Sequence, residues 1–281
     1  MSLPQQKEEL RLFALSDPHL GLSVAKPMHV FGRGWERHHE RIAEHVGREL
    51  GAQDLLLIPG DISWAINLQE VEADLAFLDH LPGRKWIGRG NHDYWWTSQK
   101  KVLDLAEASG WKSLHFIRHS AWRIPEHRLV ICGTRLWALP GSPEWQEGED
   151  RRLYLRECQR LDLALAEARK LREEGDRLVV MLHYPPYSRR STEREVLDRL
   201  HAADCTLCIH GHIHGRKGWE MRGRVDQGLP ILNTACDVLQ FKALWLDPFL
   251  EGEWTDESLT AALERQLSPA DSMAPPAHSQ K

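Results

Sequence analysis

Residues 55–61 read Leu-Leu-Leu-Ile-Pro-Gly-Asp. Four consecutive branched aliphatic residues offer no polar face, so the segment predicts a short strand buried on both sides. Pro59-Gly60 ends it, and a carboxylate follows at once. Four other runs repeat the design at 11–16, 85–89, 178–182 and 205–209. Between the runs, residues 35–50, 68–80 and 97–109 predict helices. The longest helix is expected over 150–174, where Tyr154, Cys158, Leu161, Leu165 and Ala168 form one apolar stripe. Short buried strands alternating with amphipathic helices predict an α/β fold.

A second group of pieces is shorter and broken by Gly and Pro. Segments 216–221, 231–233 and 241–246 read as strands, as do 114–117, 122–124 and 129–132, and the two groups are expected to pair in a second sheet. A last helix is expected over 256–267. One domain is expected over 10–267, with a flexible start at 1–9 and a Pro-, Ala- and Ser-rich disordered tail at 268–281.

Composition narrows the function classes. A net charge of −5 argues against a general nucleic-acid coat and so against stable nucleic-acid binding. No apolar run approaches the roughly 18 residues of a membrane span, and residues 1–9 are polar; the expectation is a cytoplasmic protein with no membrane partner. Five cysteines make no disulfide framework. Cys205 and Cys208, though spaced CxxC, lie on an expected strand where positions three apart face opposite ways, so buried thiols are expected.

The five runs end in residues that bind metals: Asp17 and His19, Asp61, Asn91, His183, then His212 and His214. Active sites of α/β sheets collect at the carboxyl ends of strands, so these residues are expected to meet in one crevice. Asp17/His19 and His212/His214 are spaced two apart and can chelate from extended backbone. Gly60, Gly90 and Gly211 stand beside the ligands and keep Cβ atoms out of the way. Seven such ligands exceed the needs of one catalytic ion and suit two ions, with Asp61 as the bridge. Imidazole, carboxylate and amide without thiolate point to manganese, iron or zinc.

Asp17-Pro18-His19, Gly60-Asp61, Gly90-Asn91-His92-Asp93, His183 and Gly211-His212-Ile213-His214 together resemble the five motifs of the calcineurin-like metallophosphoesterases. The resemblance implies two mixed β-sheets sandwiched between helices, a four-layer α/β/β/α fold. It also implies that Asp17, His19, Asp61 and His214 hold one divalent metal ion and Asp61, Asn91, His183 and His212 the other. One departure is Ile62-Ser63-Trp64 after Asp61, where the family has a second acid that is not a ligand.

The expected activity is phosphoester hydrolysis. Two ions that share a water lower its pKa from 15.7 toward about 7, supplying a bridging hydroxide. His92 is the expected general acid, with Asp93 fixing its tautomer. A diester is slightly preferred over a monoester. The expected partner is a small phosphoester, nucleotide-like if Trp35, Trp64, Trp95 and Trp96 wall the site for base stacking, although tryptophan is equally a core filler. Arg33, Arg89 and Arg135 are candidate phosphate clamps, Arg135 first among them, but arginines chosen by proximity are more often surface residues. His38, His39, His45, His80 and His201 are expected on solvated helix faces, while His115, His119 and His210 are unassigned. The alternative function is a non-catalytic metal-binding scaffold. A DNA-processing nuclease would need a basic groove, which the sequence does not show.

Overall fold

The structure, a computed structural model, describes residues 10–268. The expected flexible start, and the expected tail apart from Ser268, lie outside the described residues. In chain order the elements are β1 (Leu12–Ala14), α1 (His38–Glu49), β2 (Leu55–Ile58), α2 (Leu68–His80), β3 (Arg84–Gly88), α3 (Gln99–Ser109), β4 (Leu114–Ile117), β5 (Ala121–Ile124) and β6 (Leu129–Thr134). There follow α4 (Glu149–Leu171), β7 (Arg177–Leu182), α5 (Glu195–Ala202), β8 (Leu207–His210), α6 (Gly215–Glu220), β9 (Gly223–Asp226), β10 (Leu229–Asn233), β11 (Leu244–Trp245) and α7 (Asp256–Leu267).

Two mixed sheets result. One has the order β11-β1-β2-β3-β4 and the other β5-β6-β7-β8-β10-β9. β1 to β4 run parallel with β11 antiparallel; β6, β7, β8 and β10 run parallel with β5 and β9 antiparallel. Strand alternation sorts the side chains into layers. Leu55, Leu57, Trp86, Leu129, Ile131, Val179 and Met181 fill the space between the sheets. Leu56, Ile58 and Ile87 face outward beneath α1 and α2, packing on Ile42, Val46, Leu75 and Leu78. Val130, Cys132, Val180 and Leu182 face outward beneath α4, packing on Tyr154, Cys158 and Leu161. The architecture is the four-layer α/β/β/α sandwich. Among the described residues no helix is long and apolar enough to cross a membrane.

The five expected buried runs divide between the two sheets, three in one and two in the other. Three shorter pieces behave differently from the expectation. Of residues 216–221, all but Met221 lie in the helix α6 rather than a strand, because the Asp237 carboxylate accepts the Gly215 N–H at 2.7 Å and Arg216 pairs with Glu220 at 3.0 Å. Segment 114–117 joins the first sheet as β4, brought parallel to β3 by the α3 crossover, instead of pairing in the second. Of 241–246 only Leu244–Trp245 is strand, since Gln240 and Phe241 take left-handed turn backbone at φ 55° and 63°. His38 is buried rather than solvated, with Nδ1 at 3.1 Å from the Trp35 carbonyl.

Candidate metal centre

All seven candidate ligands sit just past the carboxyl ends of β1, β2, β3, β7 and β8. Asp17, His19, Asp61 and Asn91 come from the first sheet, and His183, His212 and His214 from the second. Two clusters form there. Donor atoms of Asp17, His19 and His214 lie within 4.8 Å of one another, and so do those of Asp61, His183 and His212. Asn91 Oδ1 stands 2.7 Å from His183 Nε2 and 2.9 Å from His212 Nδ1, which places it with the second cluster. Asp61 Oδ2 lies 3.4 Å from His183 Nε2 and 3.8 Å from His19 Nε2, so it faces both.

The backbone is bent to make this possible. Asp17, His19, Asp61 and His212 have φ of 56°, 42°, 51° and 69°, the left-handed region that costs non-glycine residues energy and clusters at functional sites. The loops are pressed together where the glycines lie. A Cβ on Gly60 would stand 2.6 Å from the Gly90 amide nitrogen, and one on Gly90 or Gly211 would run into the carboxylate of Asp61 or Asp17.

These residues fit divalent cations. Asp17 Oδ2, Asp61 Oδ2, His19 Nδ1 and His183 Nδ1 are buried without a hydrogen-bond partner, and buried polar atoms are ordinarily satisfied. The charges agree. Burial pushes Asp17 upward, but hydrogen bonding and charge from His214 and His183 outweigh it and hold the carboxyl at about 2. Asp61 is held far below the usual carboxylate range in the same way, burial being outweighed by His183 and His19. Burial also opposes protonation of His214, yet its hydrogen bonds to Asp17 and Asp237 lift the ring to about 10. The cage thus favours positive charge between its carboxylates.

Two acids beyond the motifs orient the ligands. Asp237 Oδ1 is 2.7 Å from His214 Nδ1, and Glu144 Oε2 is 2.9 Å from His212 Nε2, the usual outer partners of metal-binding imidazoles. Asp237 lies shortly after β10, where a search of strand ends would have found it. Glu144 sits in the long β6–α4 connection with no local signal. Tyr184 also covers His212, ring centroids 4.0 Å apart.

A cavity of about 420 Å³ opens over His19, Asp61, His92, His212 and His214. His92 lines it, packed against Trp64 with centroids 4.6 Å apart, while Trp64 stacks on His19 at 5.0 Å. Burial lowers the His92 pKa, although the Asp61 charge opposes this.

Asp93 does not touch the His92 ring. Its carboxylate accepts N–H bonds from Ile62, Ser63, Gly90 and the Trp95 indole. It fastens the Asp61 loop to the Asn91 loop and makes no hydrogen bond that would set the His92 tautomer. Trp35 and Trp64 line the cavity, but Trp95 and Trp96 are fully buried, Trp96 against Phe116, and cannot reach a substrate. Arg135 is drawn away toward Glu157 at 3.6 Å and over the Trp137 ring, and Arg33 is exposed outside the cavity.

Residues 10–216 match the family model described as calcineurin-like phosphoesterase. No curated protein matches the sequence. Among solved structures, a phosphopantetheinyl hydrolase from Mycobacterium tuberculosis aligns with TM-score 0.51 at 15% identity, over 81% of this chain and 89% of its own. A protein of unknown function from Aquifex aeolicus aligns with TM-score 0.46 at 16% identity, over 84% and 95%. A protein from Thermus thermophilus aligns with TM-score 0.47 at 12% identity, over 84% and 98%.

Proposed function

The chain belongs to the calcineurin-like phosphoesterase family, and from that premise we propose that it hydrolyses phosphate esters, diesters ahead of monoesters, with two divalent metal ions and His92 as general acid. The observation that carries this reading is the pair of ligand clusters meeting at one carboxylate, Asp61. Asp17, His19, Asp61 and His214 would hold one ion; Asp61, Asn91, His183 and His212 would hold the other. When bound, such ions would supply Lewis acidity toward phosphoryl oxygens and would lower the pKa of water at the site. The donor set, free of thiolate, suits manganese, iron or zinc.

The chain's own groups do the rest. Asp237 and Glu144 fix the ring orientations of His214 and His212. Trp64 packs against both His19 and His92, which also meet each other at 5.6 Å, so the indole helps set the attitude of the proton donor relative to the first cluster. His92 delivers its proton to the leaving oxygen. Burial disfavours its charged form, which makes the imidazolium a stronger acid while lowering the fraction that carries the proton at neutral pH.

Two cavities support the preference for diesters. The one over His92 is bordered by Trp35, Trp64 and Phe31, apolar faces suited to a nucleobase-like group. A second, of about 320 Å³, lies between Trp137, Tyr184 and Lys217 and is also lined by Glu144, which with Tyr184 touches His212. A phosphodiester has two organic arms for two cavities; a monoester has one. A small nucleotide-like phosphodiester is therefore the proposed substrate class, without stable nucleic-acid binding.

Metal analysis and steady-state kinetics with added manganese test the proposal on an aryl diester, an aryl monoester and a nucleotide. The expected result is two ions per chain and the highest kcat/KM on the diester. Stoichiometric metal with no hydrolysis of any of the three would favour a metal-binding scaffold instead.

A further inference from the structure

Arg89 follows β3, Arg118 follows β4 and Arg135 follows β6, so three arginines stand at the same carboxyl-end edge as the metal ligands. Arg156 and Arg160 reach that edge from α4. One oxygen of a single fully buried carboxylate, Glu157 Oε1, serves Arg160 at 2.6 Å and both Arg135 and Arg156 at 3.6 Å. The other, Oε2, accepts the Thr134 hydroxyl at 3.0 Å. Glu157 thus brings a single negative charge to three guanidinium groups and hydrogen-bonds only one of them, Arg160.

Arg89 and Arg118 have no ion-pair partner among the described residues, and the Nε–H of each is buried with no hydrogen bond. Arg89 lies within charge range of Arg135 and Arg118, and Arg118 of Arg160 and Arg156, with the Glu157 carboxylate attracting both. Burial first, and the charges of Arg160 and Arg156 after it, push the Arg118 guanidinium pKa down, with Glu157 opposing them. Asp93, also near Arg89, already accepts four N–H bonds. Guanidinium does not discharge at physiological pH, so the surplus positive charge is permanent. This surplus stands out in a chain whose net charge is −5.

We infer that the arginines around Glu157 form a binding site for a phosphate-class oxyanion, separate from the metal cage but on the same edge of the sandwich. Such an anion presents several acceptor oxygens that take paired N–H donors from guanidinium groups, the mode by which arginine clusters recognise phosphate. The ligand is either free orthophosphate or a second phosphoryl group on the substrate. The latter rests on the proposed phosphoesterase function and the former does not.

The first arm uses full-length protein stripped of metal by a chelator. Orthophosphate is titrated against thermal unfolding, with chloride at equal ionic strength as reference. The expected result is a phosphate-specific rise in Tm that Arg118→Gln weakens by on the order of 10-fold in affinity, while Arg216→Gln, on exposed α6, leaves it unchanged. Arg118→Gln should also raise Tm without phosphate, because it removes a repelling charge and breaks no ion pair; loss of a purely structural residue would lower it. Arg156→Gln, at a half-exposed position, gives a second variant whose fold is not in question. No phosphate-specific shift in the parent protein, or equal shifts in parent, Arg118→Gln and Arg156→Gln, overturns the site.

The second arm compares KM for a phosphodiester with and without an additional terminal phosphate on the manganese-loaded protein. If Arg118→Gln erases a KM advantage of the doubly phosphorylated ester, the occupant is substrate-borne. If the first arm succeeds and the KM values do not move, the occupant is free phosphate.

Discussion

Replacing Gly60 by alanine should damage both stability and metal content, and the structure separates the two causes. Gly60 has φ +143°, and an added Cβ would stand 2.6 Å from the Gly90 nitrogen, 2.8 Å from its Cα and 2.9 Å from the Arg89 carbonyl carbon. All three are backbone atoms, so no flexible side chain can move aside. Gly228, in the β9–β10 turn, also has positive φ, +87°, but nothing lies within 4 Å of its would-be Cβ. Gly228→Ala therefore measures positive-φ strain, of about 1–2 kcal/mol. Gly60→Ala adds crowding of roughly 1–3 kcal/mol. For a domain of this size about 2–4 °C of Tm accompanies each kcal/mol, so Gly60→Ala should melt on the order of 2–12 °C below Gly228→Ala. The strain falls between the loops carrying Asp61 and Asn91, so metal per chain should drop in Gly60→Ala and hold in Gly228→Ala. Thermal unfolding of the chelated proteins and metal analysis of the reconstituted ones read the two effects. Equal Tm values together with full metal in both variants would show that the contact between these loops is not what shapes the cage.

His92→Ala should keep both metals and lose about 10²–10⁴-fold in turnover on an ester with a poor leaving group, with a smaller loss on an aryl ester whose leaving group needs no proton. Asp237→Asn and Glu144→Gln should each weaken metal affinity by about 10–100-fold, measured by competition with a chromogenic chelator. Trp96→Ala should cost about 3–5 kcal/mol in urea unfolding without altering the preference between nucleotide and alkyl diesters, whereas Trp64→Ala should alter that preference. The Asp226 carboxyl is held at about 2 chiefly by its hydrogen bond from Arg194, with His201 adding to it against the effect of burial. Its folded pKa lies below the ordinary 3.8, so its contribution is complete above that value and is lost as pH falls toward 2; urea midpoints from pH 5 to 2 should fall less steeply in Asp226→Asn.

The ligand set was legible because each ligand directly follows a buried apolar run, and strand ends in an α/β fold converge whatever their distance in sequence. The layers were legible for a related reason: Leu55–Ile58 and Leu178–Leu182 have no polar face to expose. What did not show was direction and partnership. Asp93 stands beside His92, yet its side chain turns to four N–H donors on two loops, and nothing local distinguishes those outcomes. Trp96 and Trp64 are alike as residue types; only packing against Phe116 puts one in the core while the other borders a cavity. Residues 216–220 became helical because a carboxylate some twenty residues downstream caps them. His38 looked solvated on a helix that in fact turns it toward Trp35.

Each three-residue cluster draws from both sheets: Asp17 and His19 meet His214, and Asp61 meets His183 and His212. Neither sheet alone supplies every residue of either cluster, so a fully caged cation would require both sheets to be docked. Once seated, the ions would act as rivets across the seam. Amides along β1, β2, β7 and β8 should then exchange with deuterium more slowly in the loaded protein than in the stripped one, with the largest change at the ends of these strands.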